Sequence, residues 1–371
     1  MKQMKLINIT LLAMILSAGC NNAPQKPTGE SSNNSVPVYN ADPFWPQSLP
    51  NNWLIGQVSG IDVDSRDHIW IIHRPGTVGA NEGDTSWFSK EFLYVPAPPV
   101  MEFDAEGKLF RSWGGPGEGY EWPEMEHGIF VDDDNNVWLS GAGANDHQVL
   151  KFTADGRFLL QIGKAGKTGG SNNTELLGHP AEFDVDEDNN EIYIADGYLN
   201  KRVIVFDSET GQYKRHWGAY GNIPDDAVQK PYDPGSPPSK QFGEVVHAVR
   251  ISSDNFLYIC DRSNNRIQVF QKDGTFVREG FVARDTKGAG CAWDIDFSHD
   301  PGQKYIYMAD GTNQVVWILE RETLKTAGHF GGIGRYAGQF IWLHNLTVDS
   351  HGNIYTAEVS TGKRAQKFIP E

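Results

Sequence analysis

The chain has 371 residues, with 40 glycines, 20 prolines, 12% aromatic residues and a formal net charge of −16. So acidic a chain repels phosphate backbones, which excludes sequence-independent nucleic-acid binding. Its 3 cysteines are too few for a disulfide-stapled scaffold, and dense Gly and Pro punctuation among aromatic residues favours short strands over a helical bundle.

At the N-terminus, Lys2 and Lys5 precede an apolar run from Leu6 to Leu16, followed by Ser17-Ala18-Gly19-Cys20. A charged start, an apolar stretch too short to span a bilayer comfortably and small residues at its end form an export signal. Small residues directly before a cysteine resemble a bacterial lipoprotein signal, with residues 1–19 removed and lipid placed on the Cys20 thiol. The alternative is an ordinary secretory signal with an incidental cysteine. Asn21 after the cysteine resembles lipoproteins sorted to the outer membrane. Residues 20–40 are polar, with Pro and Gly, and form a flexible tether. The body, 41–371, is therefore expected to be exported, facing the periplasm or carried on the outer membrane. It should touch the membrane only through its anchor and be a monomer.

Along the body one pattern recurs: an apolar strand, an Asp, a turn rich in Asn, Asp and Gly, then a second, aromatic-rich strand. It reads GIDVDSRDHIWIIHR from Gly60, HGIFVDDDNNVWLSG from His127 and AEFDVDEDNNEIYIADGY from Ala181. It returns as HAVRISSDNFLYICDR from His247, WDIDFSHDPGQKYIYMADG from Trp293 and HNLTVDSHGNIYTAE from His344. Most copies continue into a third strand, such as 202–206, 266–270 or 314–319, and then a fourth. Six four-stranded units predict an all-β fold, a six-bladed β-propeller. The last copy ends at Phe368 without room for its fourth strand. Residues near 41–56 are expected to supply it and close the ring, removing an open edge. The turns DSRDH, DDDNN, DEDNN and DSHGN resemble calcium loops, but no EF-hand glutamate follows them. They are read as hairpin turns.

Aligned on Val63, Val131, Val185, Ile251, Phe297 and Val348, the copies place Ser59, His127, Ala181, His247, Trp293 and His344 four residues earlier. Histidine thus occupies the second, fourth and sixth blades. The first strand of each propeller blade lines the channel, so three imidazoles from alternate blades can converge on the axis. A histidine tripod with an open fourth position is the ligand set of a catalytic zinc site; singly, each histidine would be read as structural. Arg74, Tyr198 and Arg262 end the second strands on the same side. An Arg offers a planar fork for a carboxylate. A Tyr beside a cation and an Arg is expected to have a depressed pKa and to serve as a base. Blade-to-blade hydrogen bonds are the structural alternative for these three. That alternative is preferred for Arg202 and Arg266, which sit in the repeat's own turn.

The stretches GQVSGIDVD with IIHR, HGIFVD, IYIADGYLNKRVIVF, LYICDRSNNRIQVF with FVRE, and LHNLTVD resemble NHL-type six-bladed propellers. Over about residues 55–368 they resemble the peptidyl-α-hydroxyglycine α-amidating lyases in particular. The resemblance implies zinc on His127, His247 and His344, with Tyr198 as catalytic base, Arg74 as an essential arginine and Arg262 as a second, carboxylate-binding one. The implied reaction splits the N–C bond of a carbinolamide, a small molecule or peptide ending in an α-hydroxyglycine carboxylate, to an amide and glyoxylate. It also implies a structural calcium in the channel, on the carbonyls of Ile61 and Ile129 and on the residue after the last histidine. That residue is Asn345 here rather than the family's aspartate, so calcium should bind weakly or not at all. Trp342-Leu343 replace the family's Met-Pro and would reshape the pocket. Leu199 stands where the family has a disulfide cysteine, and Cys260 and Cys291 are read as buried thiols, although adjacent blades could permit a bond.

Two insertions, 75–98 and 219–241, are long enough to wall a site on the propeller face. Trp87, Phe88, Phe92 and Tyr94 could form an apolar lip or pack over a blade edge. Two other function classes remain open at the level of sequence: a lactonase-like metal-dependent hydrolase, and a non-catalytic, surface-anchored binding propeller.

Overall fold

In blades one, two and six an Asp builds the hairpin turn by folding its carboxylate over the chain, and Ser252 and Ser298 take that place in blades four and five. Asp64, Asp132 and Asp349 accept from the backbone N–H groups of His68, Asn136 and Asn353 at 3.0, 2.6 and 2.8 Å. Asp67 and Asn135 adopt positive φ in two of these turns, a conformation Asp and Asn tolerate better than most residues. The calcium-like turns are hairpin turns, as read from the sequence. The computed structural model describes residues 36–79, 82 and 94–371. The signal 1–19, Cys20 and residues 21–35 of the tether lie outside the described residues, as do Trp87, Phe88 and Phe92 of the first insertion.

The hairpins assemble into six four-stranded antiparallel sheets, each an up-and-down meander. The innermost strands are Gln57–Val63, Glu126–Val131, Pro180–Asp186, Val246–Ile251, Asp294–Phe297 and Leu343–Val348. Each neighbours the next, and the sixth returns to the first. This is a six-bladed propeller. Between blades, alternating strand positions bury continuous apolar clusters, such as Tyr193, Val205, Trp217, Phe242, Leu257 and Phe270 between the third and fourth.

In the sixth sheet, the strand Tyr39–Asp42 pairs antiparallel with the last strand, Arg364–Pro370, with Ala41 opposite Phe368. It lies at the edge of the 41–56 window read from the sequence and begins before it. The reason is local. Tyr39 packs on Tyr307 and Phe330 of the fifth blade. Trp45, a few residues on, is already committed to Phe103 and Tyr355 between blades one and six. Trp53–Leu54 instead makes a short parallel pair with Val95–Pro96.

Carboxylates sew the inner strands together. Asp62, Asp184 and Asp296, in equivalent places of blades one, three and five, accept from the N–H groups of Val131, Ile251 and Val348, each at 2.7 Å. Each bond crosses to the following blade. Arg202 and Arg266 are fully buried on Asp196 and Asp261, at 2.8 and 2.7 Å. They are structural, as their turn positions suggested. Cys260 and Cys291 are buried free thiols.

Candidate metal centre

A β-bulge interrupts the first hairpin ladder at the same level in five blades, between Val58 and Gly60, Glu126 and Ile129, Pro180 and Phe183, Val246 and Ala248, and Leu343 and Asn345. A bulge adds a residue and re-aims side chains locally. His127, His247 and His344 all sit in it. They are buried, their ring centroids lie 4.8 to 5.2 Å apart, and ring nitrogens from all three fall within 4.8 Å of one another. They form a group that can hold a metal ion.

Two of the imidazoles are held from their outer side. His247 Nδ1 donates to the Trp293 carbonyl at 2.5 Å. His344 Nδ1 contacts Asn345 Oδ1. His127 Nδ1 has no well-formed hydrogen bond and faces Glu182 Oε1 at 3.5 Å. Such outer partners fix ring orientation and tautomer in metal sites. Burial pushes all three pKa values down. The neighbouring His344 adds to this at His127 and Arg262 at His247, while His344 itself falls to about 3, with Arg74 as the next cause. The three are neutral donors at pH 7, the form a cation requires, and the set suits zinc.

Tyr198 reaches the same point from the end of the second strand of blade three. Its backbone N–H is held by the His179 carbonyl at 3.2 Å. Its hydroxyl lies 2.9 Å from His127 Nε2 and 3.1 Å from His247 Nε2, and Arg262 Nη1 reaches it at 3.5 Å. The Arg262 guanidinium stacks on Trp293 at 4.3 Å and donates to the Ala289 carbonyl at 3.1 Å. Arg74 is anchored by Glu126 O at 2.7 Å and Gln57 Oε1 at 2.8 Å, and its charge acts on Tyr198 and His344. The three histidines, Tyr198 and Arg262 are thus brought into contact, with Arg74 beside them. Within the protein alone the Tyr198 phenol is raised, because burial outweighs the pull of Arg262 and Arg74.

Asn345, one residue on, has its amide committed: Nδ2 donates to Glu182 Oε1 at 2.9 Å and to Asp294 Oδ2 at 3.2 Å. The side chains of Ile61 and Ile129 pack into the apolar layers on either side of blade one. Sequence reasoning missed Glu182, Trp293 and Gln57. Glu182 and Trp293 could have been found by reading the aligned columns for every residue type rather than for histidine. A second group of donors, Asp64, His68 and Glu102, is tied up by Arg66 and Arg111 at 2.5 to 3.0 Å. Tyr94 is exposed. The 219–241 insertion walls a groove of about 540 Å³ with Arg266, Phe281 and Arg284, and no residue of the metal centre lines it.

A family model described as a 6-bladed beta-propeller matches residues 142–222, and the NHL repeat model matches residues 246–270. Mouse NHL repeat-containing protein 3 is 26% identical over 353 residues, 90% of this chain and 85% of its own. Peptidyl-alpha-hydroxyglycine alpha-amidating lyase 1 of Drosophila melanogaster is 28% identical over 362 residues, 91% of this chain and 60% of its own. Xenopus laevis peptidyl-glycine alpha-amidating monooxygenase B is 29% identical over 251 residues, 64% of this chain but 25% of its own length. A streptogramin B lyase structure shares the fold, with a TM-score of 0.52, 12% identity, and coverage of 90% of this chain and 98% of that one. Proteins similar to this propeller therefore include amidating lyases.

Proposed function

We propose that the propeller is a zinc-dependent lyase acting on a carbinolamide that ends in a carboxylate, such as an N-acyl-α-hydroxyglycine. The observation that carries this reading is the phenol of Tyr198, within hydrogen-bond reach of two of three convergent neutral histidines. Held by His127, His247 and His344, zinc would supply Lewis acidity toward the substrate hydroxyl. Arg262, reaching the phenol from its stack on Trp293, is placed to hold the carboxylate, and Arg74 to add positive charge. Tyr198 takes the hydroxyl proton. The O–H electrons form the aldehyde C=O, the N–C bond breaks, and its electron pair leaves on the amide nitrogen. That nitrogen recovers a proton from Tyr198, so the products are a primary amide and glyoxylate, and the base is regenerated.

The likeness to named amidating lyases supports the reaction class, and the donor set supports the metal. Burial raises the phenol, so Tyr198 acts as a base only in the charged, loaded site. The leader and Cys20 support an exported, lipid-anchored protein, with the substrate arriving outside the cytoplasm. The test is elemental analysis of the purified protein together with glyoxylate release from α-hydroxyhippurate. The expected result is one zinc per chain and turnover that a chelator abolishes. Turnover that persists in metal-free protein would falsify the metal-dependent mechanism. Metallated protein with no turnover on any carbinolamide would leave a binding propeller instead.

A further inference from the structure

Below the histidines the channel has two more tiers, set by the same register. The first holds Glu182, Asp294 and Asn345, with Gly60, Gly128 and Ala248 completing the ring. The glycines let the blades approach closely at this tier: a Cβ on Gly128 would come within 2.6 Å of the Ala181 carbonyl and 2.8 Å of Glu182 Oε2. The second holds Asp62, Asp184, Asp296, Thr347, Phe130 and Arg250. Five carboxyl groups and one guanidinium share this largely buried stretch of the channel.

Arg250 comes from the fourth blade and is buried. Its Nη1 donates to the carbonyl of Phe183 at 3.1 Å, and its Nη2 stands 3.5 Å from Asp294 Oδ1. The carboxyl groups of Asp294, Asp184, Asp62 and Glu182 surround its charge. Phe183 occupies in blade three the register place of Ile61 in blade one and Ile129 in blade two. That is the carbonyl level at which the resembling lyases are expected to hold a structural calcium. Here the aspartate of that calcium set is the neutral Asn345, and both ends of its amide are already bonded within the protein.

We infer that Arg250 is the fixed cation of this channel and does the work of a structural calcium ion, so that the chain takes its catalytic-type metal alone. A guanidinium is always charged, only weakly hydrated and able to serve several acceptors at once, which suits a buried countercharge. Calcium asks for six to eight oxygens with carboxylates among them. At this level it would have to break the Asn345 bonds and sit against a fixed positive charge. The arginine ties blade four to the carbonyl of blade three and to the carboxylate of blade five, the job of a hub ion. The inference takes the level of the calcium from the lyase resemblance, and its test does not depend on turnover.

The experiment uses the full-length protein, dialysed against calcium and against a calcium-selective chelator, with metal content and Tm as readouts. The wild type is expected to hold no calcium and to melt at the same temperature in both buffers. Arg250→Ala opens the site, so its Tm should drop and then rise with added calcium, as ligand binding to the folded state requires. Arg250→Lys keeps the charge and should stay indifferent to calcium. It serves as the folded control if the alanine variant does not accumulate. Calcium retained by the wild type would overturn the inference, with Glu182 Oε2, which has no hydrogen-bond partner, as the first ligand to suspect. So would a folded Arg250→Ala protein that gains no response to calcium, or an Arg250→Lys protein that gains one. Zinc content is read in the same samples, so failure here is separable from failure of the lyase reading.

Discussion

The phenol oxygen of Tyr198 lies 2.9 Å from Nε2 of His127, and the two side chains come from neighbouring blades. A hydroxyl at that distance can exchange a proton with anything bound at the imidazole. The ring itself is one of three that converge there. Tyr198→Phe removes the proton carrier and leaves the imidazoles in place. It is expected to keep its metal and to lose about 10²- to 10⁴-fold in kcat, the usual worth of a positioned acid–base group. Parallel metal analysis and glyoxylate assay check this. Metal loss in the phenylalanine variant would instead make the hydroxyl part of the binding site.

His127→Ala separates the other half of the centre. It deletes one of three neutral donors, so metal affinity and glyoxylate release should vanish together, while the propeller should survive. The blade junctions are held by the Asp62, Asp184 and Asp296 clamps, each at 2.7 Å, and by the apolar layers, none of which involve His127. Circular dichroism and metal content on the same preparation decide the point. Unfolding of the variant would show that this histidine is chiefly structural.

The repeat made most of this visible in the sequence. Period and turn chemistry fix which strand is innermost, and a shared column then fixes the height in the channel, so three histidines at one height had to meet. What the sequence hid was direction. The bulge that aims His127, His247 and His344 has no shared signature, since Gly128 follows the first histidine but Ala248 and Asn345 follow the others, and it appears only as a register shift. Nor does composition say that Tyr198 is raised rather than lowered. That sign depends on how completely burial removes water from a phenol flanked by two arginines. Arg250 and its carboxylates stand in two columns two residues apart, but alternating Asp and Arg on a strand also describe an ordinary wet surface.

Channel titration gives a third prediction. Burial pushes Asp184 up to about 7, against the pull of Arg250, from an ordinary value of 3.8. Between those two values the folded chain keeps a proton that the unfolded chain releases. Unfolding then sheds a proton, so stability contributed at this site falls as pH rises through that window. Asp184→Asn keeps an oxygen for the Ile251 N–H, now 2.7 Å away, and has nothing to titrate. The wild type should therefore lose Tm relative to Asp184→Asn as pH goes from about 5 to about 8. Comparing the two proteins cancels the buried histidines, whose lowered pKa values act in the opposite sense. A constant or widening advantage for the wild type over that range would show that Asp184 is ionised throughout.

Trp342 sets the last expectation. It stands two residues before His344, 40% exposed although large and apolar, in the left-handed region at φ +54. A bulky residue held there is strained, and such strain gathers at functional sites. Its ring meets Trp293 edge-on at 5.8 Å. Trp293 in turn packs at 5.6 Å against both His247 and His344, so an aromatic wall runs from the metal centre to solvent. A substrate whose carboxylate lies on Arg262 would lay its acyl group along that wall. Aromatic contacts of this kind contribute about 0.5–1.5 kcal/mol each, so Trp342→Ala should raise KM for α-hydroxyhippurate by up to roughly tenfold. It should leave kcat, and the KM of the N-acetyl analogue, nearly unchanged. Trp342→Gly relieves the backbone strain and should be the more stable of the two variants. Equal losses on both substrates would mean that Trp342 supports the site rather than reading the acyl group.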